Sequence, residues 1–133
     1  LSVAAPPQMT EALLPEYDGS TPGFVLEPGT LYLGATAEYT ESHGVVPFVD
    51  GRSSAGRLGL AVHVTAGRGD VGFKGHFTLE LFVVVPLEIW AYARVAQIYY
   101  HPVDGEYLAY NGRYQHDGYP QPSKMYQDYE SPP

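Results

Sequence analysis

The chain has 133 residues, 15 acidic against 7 basic side chains and a formal charge of −8, a size that fits one domain able to bury roughly two-thirds of its unfolded surface. That charge, with the five Arg and two Lys scattered, excludes non-specific nucleic-acid binding, which needs clustered cations, and no apolar run approaches the ~20 residues of a membrane helix. The absence of cysteine removes disulfide frameworks, thiolate zinc sites and cysteine nucleophiles together, and the chain reads as a soluble protein.

The sequence opens on Leu1 rather than Met and is read as a processed or partial product whose remainder would lie upstream. Residues 1–23 hold Pro6, Pro7, Pro15 and Pro22, with room for at most one helical turn at 10–14, and are expected to form an arm. Short apolar stretches follow at 24–26, 30–35 and 45–49. They are separated by Pro28-Gly29 and by Ser42-His43-Gly44, which predicts strands joined by turns.

From Leu58 the alternation is regular. Leu58, Leu60, Val62 and Val64 point one way and Gly59, Ala61, His63 and Thr65 the other, which predicts a half-buried strand. A glycine-rich connection around Asp70 leads to a second strand, in which Phe77, Leu79 and Leu81 oppose His76, Thr78 and Glu80. Residues 90–100 supply a further apolar stretch. No segment carries a sustained 3.6-residue stripe, so the expected class is an all-β barrel or sandwich over residues 24–101. Residues 102–133 are rich in Tyr, Gly and Pro and poor in aliphatics, and read as a tail suited to folding over a ligand or a neighbouring subunit.

Three features carry chemistry. In Arg52-Ser53-Ser54-Ala55-Gly56-Arg57, two guanidinium groups flank two hydroxyls and a glycine, a cradle for a polyphosphate or an ordinary solvated turn. Glu80 interrupts an apolar run where a carboxylate is costly unless paired or useful. It is either a polar-face glutamate or a general base tuned by a partly dry pocket. Asp70 is placed to activate water, to bind a sugar hydroxyl or to cap a turn. His43, His63, His76, His101 and His116 never fall at metal-ligand spacing, so no protein-held metal is expected. Walker, Rossmann and Gly-x-Ser-x-Gly patterns are absent.

Several motifs recur in order: Asp50-Gly51-Arg52-Ser53-Ser54-Ala55-Gly56-Arg57-Leu58-Gly59-Leu60, His63-Val64-Thr65-Ala66-Gly67, Asp70-Val71-Gly72-Phe73-Lys74-Gly75 and Thr78-Leu79-Glu80-Leu81. In the tail stand Tyr110-Asn111-Gly112-Arg113-Tyr114-Gln115 and Pro120-Gln121-Pro122-Ser123-Lys124. Together, over roughly residues 24–126, they resemble the dCTP deaminase branch of the dUTPase superfamily.

The resemblance implies a distorted, jelly-roll-like β-barrel that assembles as a homotrimer with sites between subunits. It implies metal-independent deamination of dCTP to dUTP and ammonia in the cytoplasm. Glu80 would act as the base on water, and Ser53, Ser54 and Arg57 would hold the triphosphate and help to order that water. Ala66 would offer backbone groups to the cytosine, and Asp70 would lie near the sugar. Gln97, Tyr110, Arg113, Tyr114 and Lys124 would approach the phosphates or close the site, and Mg2+ would ride on the triphosphate. Residues 82–94 lack the family's Asn turn and Pro-Gly-Met turn, Gly69 and Val71 replace bulkier neighbours of Asp70, and residues 1–23 show no counterpart of the family's early strand. Two other readings stand beside the deaminase: a non-catalytic binding or structural protein on the same scaffold, such as a virion component within a larger assembly, and a dUTP diphosphatase.

Overall fold

The computed structural model describes residues 14–116 and 118–130. Its elements are strands β1 (Phe24–Leu26), β2 (Tyr32–Glu41) and β3 (Val45–Gly51), helix α1 (Ser53–Arg57), strands β4 (Leu60–Ala61), β5 (Lys74–Val83), β6 (Leu87–Ile89) and β7 (Ala96–Pro102), and helix α2 (Gln127–Glu130). All pairings are antiparallel: β1 with β6, β3 with β7, and β5 in the middle between β2 and β4. The expected all-β class is what forms. Among the described residues no helix is long and apolar enough to cross a membrane.

One core joins the three sheets. Leu26, Val49, Leu60, Val62, Leu79, Leu81, Val83 and Ile89 are buried together, with Ala55 of α1 closing the cluster. The alternation read in β5 is realised: Leu79, Leu81 and Val83 are buried, while His76, Thr78 and Glu80 turn to the opposite face. Each buried aliphatic contributes about 1.5–3 kcal/mol of transfer free energy, so the inward set fixes the register and with it the outward position of Glu80.

Two strands differ from expectation. β2 runs on to Glu41 through a register shift between Ala35 and Tyr39. There the Thr36 hydroxyl accepts the Phe77 N–H at 3.0 Å and donates to the Glu38 carbonyl at 2.9 Å, so a side chain stands in for the missing ladder bond. The strand expected from Leu58 to Thr65 contracts to a two-residue ladder. Gly59, at φ +86°, ends the α1 turn, and a Cβ there would stand 2.7 Å from Val84. Leu60 and Val62 therefore reach the core while Leu58 and Val64 stay exposed. The apolar stretch from Trp90 becomes strand only at Ala96. Trp90 instead anchors the segment before β1, stacking edge-on against Tyr17 at 5.1 Å and donating its indole N–H to the Thr21 carbonyl at 3.1 Å.

Candidate active site

Glu80 projects from the middle of β5 into a cleft of about 400 Å³, within the size range of small-molecule sites. Leu31, Leu33, Phe73 and Phe77 supply its apolar lining, His76, Thr78 and Glu80 present one face of β5, and Tyr114, Gln121 and Ser123 of the tail complete it. Glu80 is half-buried. Its Oε2 accepts the Val64 N–H at 2.8 Å and its own N–H donates to the Val62 carbonyl at 2.9 Å. Oε1 has no hydrogen-bond partner among the described residues. A carboxylate steadied at one oxygen and open at the other, in a partly apolar cleft, is able to exchange protons with a bound water.

The tail is attached by backbone chemistry. Asp70 to Phe73 form a tight turn, closed by the Phe73 N–H on the Asp70 carbonyl at 3.2 Å, with Gly72 at φ +85°. A Cβ on Gly72 would stand 2.9 Å from Ala109, so the tail approaches because that side chain is missing. Tyr110 donates its N–H to the Val71 carbonyl at 2.7 Å and His116 donates its N–H to the Lys74 carbonyl at 2.8 Å. The Gln115 carboxamide accepts the Lys74 N–H and donates to the Gly72 and Tyr110 carbonyls. Further along, the Gln121 N–H reaches the Thr78 hydroxyl at 3.1 Å, two residues from Glu80 on the same face. The buried Ser42 hydroxyl, shared between the Asp70 and Phe73 carbonyls at 3.0 and 3.2 Å, ties the turn to the end of β2.

Within the tail, Tyr110 accepts the Tyr114 N–H and Tyr114 accepts the Lys124 N–H at 2.8 Å. Lys124 Nζ donates to the Arg113 carbonyl at 2.9 Å and lies 5.1 Å from the Tyr114 ring centre. Arg113 donates to the Lys124 carbonyl at 2.7 Å and pairs with Asp128, which raises the pKa of its guanidinium further. Of the tail residues singled out in the sequence, Tyr114 lines the cleft, and Tyr110, Arg113 and Lys124 brace the segment that carries it.

The remaining sequence candidates stand outside the lining of this cleft. Ser53, Ser54 and Arg57 are exposed on α1, anchored by buried Ala55. Gln97 is exposed on β7, donating to the Gly51 carbonyl at 3.3 Å. Asp70 is exposed on its turn. Ala66 borders a separate cavity of about 90 Å³ beside His63 and Arg68. His76, Gln121 and Ser123 line the cleft without having been assigned a role; the period of two that places His76 on the Glu80 face was the available signal.

A second side-chain group went unread in the sequence. Asp50 Oδ2 accepts the Tyr99 hydroxyl at 2.8 Å, and Asp50 Oδ1 stands 3.2 Å from His63 Nε2. The Tyr99 bond first and the His63 bond second hold the Asp50 carboxyl below the usual carboxylate range, and the same bond raises the Tyr99 phenol. Among the described residues no group of three His, Asp or Glu is placed to hold a metal ion.

Comparison with known proteins places this geometry in context. A family model described as dCTP deaminase-like matches residues 8–103. The match thus takes in residues 82–94 and begins inside the segment for which the sequence alone suggested no counterpart. A protein of Clostridium botulinum named "dCTP deaminase, dUMP-forming" is 50% identical over 131 residues, covering 98% of this chain and 73% of its own. Proteins of the same name from Cytophaga hutchinsonii and Leptospira biflexa are 56% and 54% identical over 109 residues, covering 81% of this chain and 63% of theirs.

Proposed function

The chain belongs to the dCTP deaminase-like family, and from that premise we propose that it deaminates dCTP and delivers dUMP. The dUTP product expected from the sequence gives way to dUMP because relatives matched over most of the chain are named for that product. Two hydrolyses are then needed. In the first, Glu80 takes a proton from water, the oxygen bonds to C4 of cytosine, and ammonia leaves with its electron pair as the C4–N4 bond breaks. Glu80 relays water's two protons, one to ring N3 and one to the departing nitrogen. In the second, water attacks the α-phosphorus and pyrophosphate departs, with Asp70 orienting that water.

The observation that carries this reading is the placement of Glu80: half-buried, held at Oε2 by the Val64 N–H, and facing a cleft of nucleotide scale bordered by the tail. The open Oε1 is the proton-transfer atom. The apolar side, from Leu31 and Leu33, suits a pyrimidine face. The triphosphate would be cradled by Ser53, Ser54 and Arg57 from a neighbouring copy in a homotrimer, which accounts for their lying outside the cleft of their own chain. Ala66 would present backbone groups to the base, while Gln97, Arg113, Tyr114 and Lys124 would close on the phosphates. Mg2+ enters as part of the substrate, carried by phosphate oxygens and water.

The test is an assay of ammonia and pyrophosphate released from Mg-dCTP. Equal yields of both are expected from the parent chain. Glu80→Gln is expected to lower the turnover number for ammonia at least 10³-fold, toward the upper end of what a general base contributes, while dCTP binding stays within a few-fold. Binding of dCTP with no ammonia released would overturn the reading in favour of a non-catalytic nucleotide-binding scaffold.

A further inference from the structure

On one face of β5 the period of two sets three polar side chains in a row, His76, Thr78 and Glu80, and all three line the cleft. Thr78 spends its hydroxyl oxygen on the Gln121 N–H at 3.1 Å. The other two each keep an open acceptor. Glu80 has Oε2 on the Val64 N–H and Oε1 open. His76 is tied by Nδ1, 2.8 Å from the Thr36 carbonyl, and no hydrogen bond reaches its Nε2 among the described residues.

A carbonyl can only accept, so Nδ1 of His76 carries a proton, and in the uncharged ring Nε2 is then an acceptor that calls for a donor. The irregularity of β2 builds this arrangement. Thr36 meets the Phe77 N–H with its hydroxyl, which leaves its carbonyl to the imidazole. Tyr39, the register partner of His76 across the ladder, packs edge-on to the ring at 5.6 Å. The imidazole is therefore held at Nδ1 and against Tyr39, with Nε2 left for something the chain itself does not supply.

A cytosine deoxynucleotide brings two donor groups, the N4 amino group and the sugar 3′-hydroxyl, and the proposed reaction puts the first at Glu80. His76 lies four residues back along β5, about 13 Å by the rise of a strand, toward the turn that carries Asp70. Two side chains and a nucleoside fill that span, and the sugar must run in this direction if Asp70 is to orient water at the α-phosphorus. We propose that His76 is a binding residue for the sugar: its Nε2 accepts the 3′-hydroxyl, so the cleft prefers a nucleotide that carries this group over one that lacks it. The proposal rests on the cytosine being seated at Glu80 as described above. A phosphate is the wrong partner for the uncharged ring, because an anion offers Nε2 no donor.

The experiment compares Mg-dCTP with Mg-2′,3′-dideoxy-CTP on the parent, His76→Asn and His76→Gln chains. It reads kcat/KM for ammonia release and, with deamination switched off by Glu80→Gln, the Kd by calorimetry. Asn keeps an N–H near the place of Nδ1 and loses the acceptor at Nε2, so the Thr36 bond and the irregularity of β2 are preserved. The parent is expected to favour dCTP about three- to tenfold, the range of one neutral hydrogen bond. In His76→Asn, dCTP is expected to fall to the level of the dideoxy compound, which itself stays within about twofold. His76→Gln, whose carboxamide oxygen reaches the place of Nε2, is expected to recover part of the preference. A parent that takes both nucleotides alike, or a preference unchanged in His76→Asn, would overturn the proposal. So would an equal loss for both nucleotides, the result expected of a phosphate contact or of packing alone. Preferential binding of dCTP that is lost in His76→Asn, with no ammonia from the parent, would sink the deaminase reading and leave the sugar contact standing. A parent that binds neither nucleotide would overturn both.

Discussion

Asp50 shows how much a single carboxylate is asked to do at the residue scale. It accepts from a phenol and an imidazole at once, and both bonds favour its charged form. Its folded-state pKa therefore lies below the unfolded one. The stabilisation it provides is complete above the ordinary carboxylate range and is lost as acid carries the solution down through the lowered value. Because the group is partly exposed, that stabilisation is small. Tyr99→Phe keeps the ring, stacked on Phe48 at 5.3 Å, and removes only the hydroxyl. The Asp50 midpoint, followed by carboxyl carbon NMR, is expected to rise toward the ordinary value in this variant; an unmoved midpoint would mean the phenol bond does not govern it. Residue chemistry of this kind is only half legible in a sequence. Glu80 stood out because a charge inside an apolar run needs a reason. The bond of His63 to Asp50 is not legible, since its partners lie 13 residues away in β3 and, through Asp50, on β7.

Elements built on local alternation were legible, and those built on distant hydrogen bonds were not. β5 follows its period of two, and β1 and β3 fall where short apolar runs sit between turn residues. The extension of β2 depends on the Thr36 hydroxyl meeting an amide 41 residues away. After Ala61 the ladder gives way to two bonds from Glu80, its N–H to the Val62 carbonyl and its carboxylate to the Val64 N–H. The tail, poor in aliphatics, holds through Gln115, a run of backbone bonds and a turn that only glycine permits. Gly72→Ala tests that turn. The added methyl meets Ala109 at 2.9 Å and the Tyr110 amide at 3.1 Å, and the positive φ costs about 1–2 kcal/mol for any other residue. Limited proteolysis of residues 103–130 is expected to accelerate while the β-sheet signal in circular dichroism is retained. A tail cut no faster than in the parent would show that Gly72 is not what lets it dock.

The described chain leaves an aromatic ribbon uncovered at the scale of the whole molecule. Along β7, Ile98, Tyr99 and Tyr100 are 39%, 41% and 47% exposed, and Phe48, Tyr99 and His101 pack against one another on the β3–β7 pair. Alternation turns Tyr99 and His101, with Phe48, to one face of the pair and Ile98 and Tyr100 to the other, and exposed apolar surface of this kind marks association. β3 leads in sequence into α1, whose Ser53 and Arg57 have no part in the cleft of their own chain. In the proposed homotrimer every site combines Glu80 from one copy with Arg57 from the next, and closed symmetry then dictates a specific outcome. Glu80→Gln and Arg57→Ala chains, each inactive alone, regain activity when co-expressed, because a working site needs an intact Glu80 and an intact Arg57 on different copies. With random assembly of equal amounts, about one site in four meets that condition, so about a quarter of the parent's ammonia release is expected. Sites contained within one chain would give none, since no chain in the mixture carries both residues. Ammonia release near the quarter level therefore places Arg57 across the subunit boundary, and its absence in a mixed trimer confirmed by mass measurement would confine the site to a single chain.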